Sequence, residues 1–323
     1  MKTCALGYLL VTFSLNAADF PQADITNGQI KARLNLPDAE KGYYRATRFD
    51  WSGGIASLEY KGHNFFGVWF PKYDPKIHDS ITGPVEEFRT GESALGYDEA
   101  AAGGTFIRIG VGVLRKPDAS KFQQFKTYDI VDPGKWTVHA KADSVEFTQD
   151  VTDPSSGYSY HYKKVVRLVK GKAQMVIEHS LKNTGKKLIE TNVYNHQFFV
   201  IDGQPSGPDF AVKFPFDVKA GADMRGPAEM RGKEIAYLQE LQAGGRQSVF
   251  TTLSGYGDSP KDFDIHVENK KVGAGVRVVG DKPLSKVVFW SIRNTLCPEA
   301  YIEMKVEPGH EFTWKLTYDF YTL

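Results

Sequence analysis

A chain of 323 residues, 41% hydrophobic and 13% aromatic, can bury one large core or two ordinary ones without help from disulfides or a structural metal. A formal net charge of +1, with no basic stripe, argues against nucleic acid as a partner. Two cysteines, Cys4 and Cys297, offer no disulfide framework.

The opening "MKTCALGYLLVTFSLNAADF" carries one positive charge, Lys2, then an apolar run over residues 5 to 15 and small residues at Ala17 and Ala18. That is the layout of a secretory signal peptide. The expectation is a signal over residues 1–18, a single domain over 19–323, and a periplasmic or secreted protein. The apolar run falls short of the roughly 20 residues that span a bilayer, and no later stretch approaches it, so no membrane association is expected after cleavage. Cleavage would leave Cys297 as the sole thiol and 39 basic against 39 acidic residues.

Further on, the segment 78–104, "HDSITGPVEEFRTGESALGYDEAAAGG", is glycine-rich and weakly periodic, as active-site loops tend to be. Then come segments in which apolar side chains alternate with period two: residues 105–115, 144–151, 158–169, 173–181, 273–279 and 285–292. Turn formers separate them, as in "DPSSG", "KNTGKK", "SGYGDSP" and "EPGHE". One stretch, residues 232–244, "GKEIAYLQELQAG", has helical spacing. The final strand is the clearest, with Phe312, Trp314, Leu316, Tyr318 and Phe320 on one face and Glu311, Thr313, Lys315, Thr317 and Asp319 on the other. The fold class read from this pattern is all-β, a large antiparallel β-sandwich without an internal repeat.

"TNVYNHQFFVIDGQPSG" sets His196 among aromatic and β-branched neighbours, just before a Gly/Pro/Ser turn. A histidine in such company is more often a satisfied core residue, but the turn sets this one where strand ends meet a cleft. His179 differs, sharing the mid-strand parity of Met175, Ile177 and Leu181, so the core reading wins there.

The block from "VVRLVKGKAQMVIEHSLKN" to "NHQFF" resembles the central part of the aldose 1-epimerase (galactose mutarotase-like) superfamily, whose "N-H-x-F/Y-F" signature corresponds to Asn195, His196, Gln197, Phe198 and Phe199. The tail "YIEMKVEPGHEFTWKLTYDFY" and the early "GYYRATRFDWSGGIASLEYKGHNFFG" are similar to the superfamily's ending and opening. The resemblance implies sugar anomer interconversion, with His196 as general acid on the ring oxygen and a C-terminal carboxylate as base, on opposite sides of the anomeric centre. Glu299, taken to lie in a loop after Pro298, is the chosen base. Glu303 is the rival, alternating with Lys305 and Glu307 on a wet face opposite Ile302, Met304 and Val306. In place of the superfamily's usual arginine and second histidine stands "GPVEEFR", which puts galactose itself in doubt.

For substrate binding, Arg89 and Glu87 offer a fork and an acceptor to vicinal hydroxyls, unless they form only a surface ion pair. Trp290 and Phe198 are the aromatic candidates for stacking on a pyranose, with Trp51 and Trp69 behind them, each weighed against a core role. No HExxH, paired CxxC, histidine cluster, phosphate-cradling loop, nucleophile elbow or calcium loop occurs, so no metal and no cofactor are expected. The expected partner is a small-molecule carbohydrate, and the expected state a monomer or weak dimer. Three rivals stand beside an epimerase: a non-catalytic carbohydrate-binding protein, a polysaccharide lyase or glycoside-processing enzyme on the same fold, and a structural envelope protein.

Overall fold

The computed structural model describes residues 20–244 and 247–323, and the expected leader lies outside them. The described residues are built from antiparallel strands in sheets of ten, six, four and three. Their one helical segment is a single 3-10 turn, Pro260–Asp262, and none of their helices is long and apolar enough to cross a membrane.

The two large sheets form the sandwich. At the centre of the ten-stranded sheet, strands Tyr158–Leu168, Gln174–Asn183 and Glu311–Thr322 lie side by side. Cross-strand partners Val166, Ile177 and Leu316 make one fully inward rung of this sheet. They join Val193, Ile302 and Met304 of the six-stranded sheet in one continuous core. Each such side chain contributes roughly 1.5–3 kcal/mol on burial. The predicted faces of the last strand and of residues 302–306 are those observed.

The neighbouring rung is polar. Lys164, His179 and Trp314 are cross-strand partners pointing inward, and the His179 and Trp314 rings stack with centroids 4.4 Å apart. Glu86, from strand Val85–Arg89 of the opposite sheet, meets them: it pairs with the Lys164 ammonium, lies 2.7 Å from His179 Nε2 and accepts from Asn195 Nδ2 at 2.8 Å. A lone buried ammonium would cost several kcal/mol, so this cluster is a polar rivet between the sheets, strongly dependent on every member.

Two expected elements differ. Residues 232–244 form no helix: Ala228–Arg231 and Glu234–Tyr237 are a hairpin turning at Gly232, whose φ of 59° fits a turn and not a helix interior. Ile235, Ala236 and Tyr237 are buried by the fold around them, so tertiary packing overrides the helical spacing. Residues 105–115 are two strands, Thr105–Arg108 and Gly112–Arg115, because Gly110 takes a φ of 79° that an extended strand cannot pass through.

Candidate functional site

The six-stranded sheet runs in the order Lys219–Ala220, Val249–Ser254, Lys286–Ile292, Thr295–Val306, Ile189–His196, Val85–Arg89. Tyr194 pairs across strands with Tyr301 on one side and Glu87 on the other, while Tyr301 and Glu299 pair with Lys286 and Val288. Side chains alternate, so His196 and Glu299, each two residues from the Tyr194–Tyr301 pair, share its face. Glu86 and Glu87 are divided by the same rule, one into the sandwich and one toward the site.

His196 Nε2 and Glu299 Oε1 lie 3.2 Å apart, with side-chain exposures of 4% and 8%. The other carboxyl oxygen, Oε2, accepts from the Tyr301 hydroxyl at 3.2 Å. Burial, opposed by Arg48, pushes the Glu299 carboxyl up to about 8. Burial and then the nearby Arg48 charge hold the His196 imidazole well below its ordinary range. At neutral pH the pair is therefore a carboxylic acid facing a neutral imidazole, holding one transferable proton and one vacancy.

Rings set the orientation of His196, since its Nδ1 has no hydrogen-bond partner among the described residues. Its imidazole stacks on Phe198 with centroids 3.7 Å apart, and the edges of Phe49 and Trp290 meet it at 5.5 and 5.6 Å. Phe198 stacks in turn on Trp69 at 4.6 Å. It sits in left-handed backbone at φ 43°, its N–H directed at Cys297 Sγ at 3.3 Å. A non-glycine residue held there reflects a site that over-determines it.

Glu87 is the hub behind this wall. Its buried carboxylate accepts from Tyr194 Oη at 2.6 Å, Arg48 Nε at 2.9 Å and Gln124 Nε2 at 2.9 Å, with Arg108 at 3.5 Å. Burial alone would raise it, but Arg48 and Arg108 hold it below the usual carboxylate range. Arg48 also pairs with Asp79 and lies over the ring of Phe125, 4.9 Å from its centroid. These groups enclose a pocket of about 270 Å³ lined by the His196–Glu299 pair, Tyr301, Trp290, Arg48, Arg89, Arg225 and Lys286 among others. Small-molecule sites run to roughly 300–1,000 Å³, so this one has the size of a single sugar ring and not of a polymer groove.

The structure brings His196, Glu299, Arg89, Trp290 and Phe198 to one pocket. Glu299 is in strand Thr295–Val306 and not in a loop, because Pro298 is accommodated within the strand. His196 and Glu299 are neighbours on one wall, not opposed across a gap, since adjacent strands carry them. Phe198 has one ring face on His196 and the other on Trp69, which leaves no face for a sugar. Glu87 is spent on four protein donors, so it orients Arg48 and Tyr194 instead of receiving hydroxyls. Trp51 and Trp69 are core, their indole N–H groups donating to Ala46 O and Ile81 O.

Glu303 shares the parity of Glu299 but is exposed, facing a separate hollow of about 460 Å³ with Thr90 and Asn192. That hollow is larger, yet Glu190 and Glu99 on its lining are already paired with Lys305 and Lys187, and the buried acid–imidazole pair lies elsewhere. Sequence reasoning missed Arg48, Gln124 and Phe125, and reached Asp79 only as part of the loop 78–104. They lie in loop segments that carry no periodic signal, and the spacing to Glu87 reveals nothing until the loops fold over the sheet.

No protein-family profile matches the chain, and no curated protein sequence matches it. Solved structures do. It is similar to a galactose mutarotase-like protein from Clostridium acetobutylicum (TM-score 0.55, 14% identity, 93% of this chain and 95% of that one). It is also similar to an aldose epimerase homologue from C. elegans (0.54, 14%, 94% and 99%) and to a galactose mutarotase related enzyme from Lactobacillus acidophilus (0.54, 13%, 94% and 98%). Identities this low speak for architecture and not for activity. The chain has the galactose mutarotase-like fold, an all-β antiparallel sandwich with the His196–Glu299 pair on the outer face of its six-stranded sheet.

Proposed function

We propose that the protein interconverts the anomers of a free sugar, with Glu299 and His196 as the acid–base pair. The observation that carries this reading is their 3.2 Å contact at the base of a pocket of about 270 Å³. Ring opening at an anomeric carbon needs a proton delivered to the ring oxygen and another removed from the hydroxyl on the same carbon. Two groups side by side suit two oxygens on one carbon. The proton on Glu299 goes to the ring oxygen as the C1–O5 bond breaks, and His196 Nε2 takes the hydroxyl proton, leaving an open-chain aldehyde. Rotation about C1–C2 and the reverse transfers close the other anomer, so each group serves once as acid and once as base.

This order assigns the first donation to Glu299, where the sequence resemblance assigns it to His196. The reason is burial, which places the resting proton on the carboxyl. Trp290, half-buried on the lining, and Phe125, 59% exposed beside Arg48, are the aromatic candidates to pack against the pyranose. We further propose that the chain acts after export, on the strength of its leader-like first 18 residues.

One observation favours a binding-only protein: the pair touches directly and is nearly sealed, so a ligand must part it. Polarimetric relaxation of freshly dissolved sugars, over a panel of aldoses and with the protein at catalytic concentration, separates the readings. Acceleration over the buffer rate for at least one sugar supports the isomerase. Thermal protection by sugars without acceleration of any would leave the binding reading.

A further inference from the structure

The charges that line the pocket are unbalanced. Four cations, Arg48, Arg89, Arg225 and Lys286, face two acids, Asp79 and Glu299. Asp79 is committed to Arg48, and Glu299 is uncharged below about pH 8. Arg48 is further engaged by Glu87, and Arg89 has Glu92 at 3.3 Å, a side chain 95% exposed. Arg225 and Lys286 have no carboxylate within 4.0 Å among the described residues.

Both unpaired cations are held on the rings of the site. The Arg225 guanidinium lies 4.6 Å from the ring centre of Phe250, the cross-strand partner of Trp290. The Lys286 ammonium lies 5.5 Å from the ring centre of Tyr301, whose hydroxyl holds Glu299. Cation–π contacts of this kind hold a charge over an apolar floor without neutralising it. A neutral sugar offers such groups only hydroxyl acceptors. Both side chains are exposed, and an anionic oxygen offers them charge-assisted bonds about twice as strong.

We propose that the pocket takes a monosaccharide bearing an anionic substituent, held by Arg225 and Lys286 while its anomeric carbon meets His196 and Glu299. The proposal rests on the anomer-exchange reading for the placement of the ring, and on the charge geometry alone for the anion.

Thermal-shift and calorimetric titrations of the full protein at pH 7 test it, with a neutral hexose, a hexuronate, a hexose 6-phosphate, a hexose 6-sulfate, and inorganic phosphate and sulfate as probes. At least one anionic sugar is expected to bind at least tenfold more tightly than the neutral hexose and than either inorganic anion. Its identity distinguishes carboxylate from phosphate and sulfate. That preference is expected to fall at least tenfold in Arg225→Gln/Lys286→Gln, and to shrink as salt rises from 20 to 300 mM. Equal or tighter binding of the neutral hexose, no binding of any sugar, equal binding of an inorganic anion, or a preference that survives the double substitution overturns the proposal. Tight binding of an anionic sugar whose anomers then exchange no faster than in buffer would sink the isomerase reading and leave this one standing.

Discussion

The imidazole of His196 lies almost flat on the ring of Phe198, the planes 13° apart and the centroids separated by 3.7 Å. With Nδ1 unpartnered among the described residues, in the proposed exchange this stack takes the place of the hydrogen-bonded third group that usually orients a catalytic base. Phe198→Ala removes it together with the contact to Trp69. The expected cost is roughly 3–5 kcal/mol in urea unfolding, the range for deleting a core phenylalanine. Phe198→Leu keeps the bulk without the flat surface, so it is expected to lose less stability than Ala while still losing exchange activity. Full activity in the leucine variant would mean that the stack does not position the imidazole.

Glu299 makes stability depend on pH in a definite direction. Its folded-state value of about 8 lies above its ordinary 4.5, so the folded state keeps a proton that the unfolded chain has lost, and stability declines as pH rises between the two. His196, neutral when folded, acts oppositely, its contribution being lost as pH falls below its ordinary 6.5. Between pH 6.5 and 8 the Glu299 effect is therefore not offset by His196, and it amounts to about 2 kcal/mol. The groups facing Glu299 are His196, Tyr301, Arg48, Glu87 and Arg89. Other buried acids titrate too, Asp50 being raised by burial to about 7, so the comparison is with Glu299→Gln. Unfolding free energies at pH 6.5 and 8 are expected to fall by about 2 kcal/mol more in wild type than in this variant. Parallel declines would contradict the buried, protonated carboxyl.

Glu87 and Arg48 form a sequestered ion pair, with side-chain exposures of 0% and 8%. Glu87→Gln leaves Arg48 and Arg108 short of a countercharge, and breaking such a pair costs roughly 3–5 kcal/mol. Glu303→Gln, at an exposed position of strand Thr295–Val306 two strands away, is expected to stay within about 0.5 kcal/mol. Chemical denaturation of the two variants checks the contrast, and equal effects would mean that Glu87 is not the hub.

How much of this is legible in the sequence follows from periodicity. The two-residue alternation in the last strand and in residues 302–306 gave the buried faces directly, and the placement of His179 in the core followed from parity with Met175, Ile177 and Leu181. What parity alone could not give was that His179 belongs to an ionic cluster, because Glu86 and Lys164 are remote in the chain. Pro298 reads as a breaker and suggests a loop around Glu299, whereas the strand Thr295–Val306 absorbs it. Arg48, Gln124 and Phe125 left no signal, since their role comes from where loops fold over a sheet. Glu87 was singled out for the right neighbourhood and the wrong partner.

The first 18 residues carry an expectation of their own. Intact-mass analysis of protein expressed with its leader in a secreting host is expected to give a chain beginning at Ala18 or Asp19. A mass that retains Lys2 would contradict export by a cleaved signal.

Exchange spectroscopy by NMR on the best sugar from the panel bears most directly on the central claim, that one proton shared by an imidazole and a carboxyl drives anomer exchange. In Glu299→Gln and in His196→Ala, the latter checked for folding by its near-ultraviolet dichroism, the exchange rate is expected to fall about 10²-fold or more, the usual worth of a positioned acid or base. A rate that stays at the wild-type level in both folded variants would contradict the account.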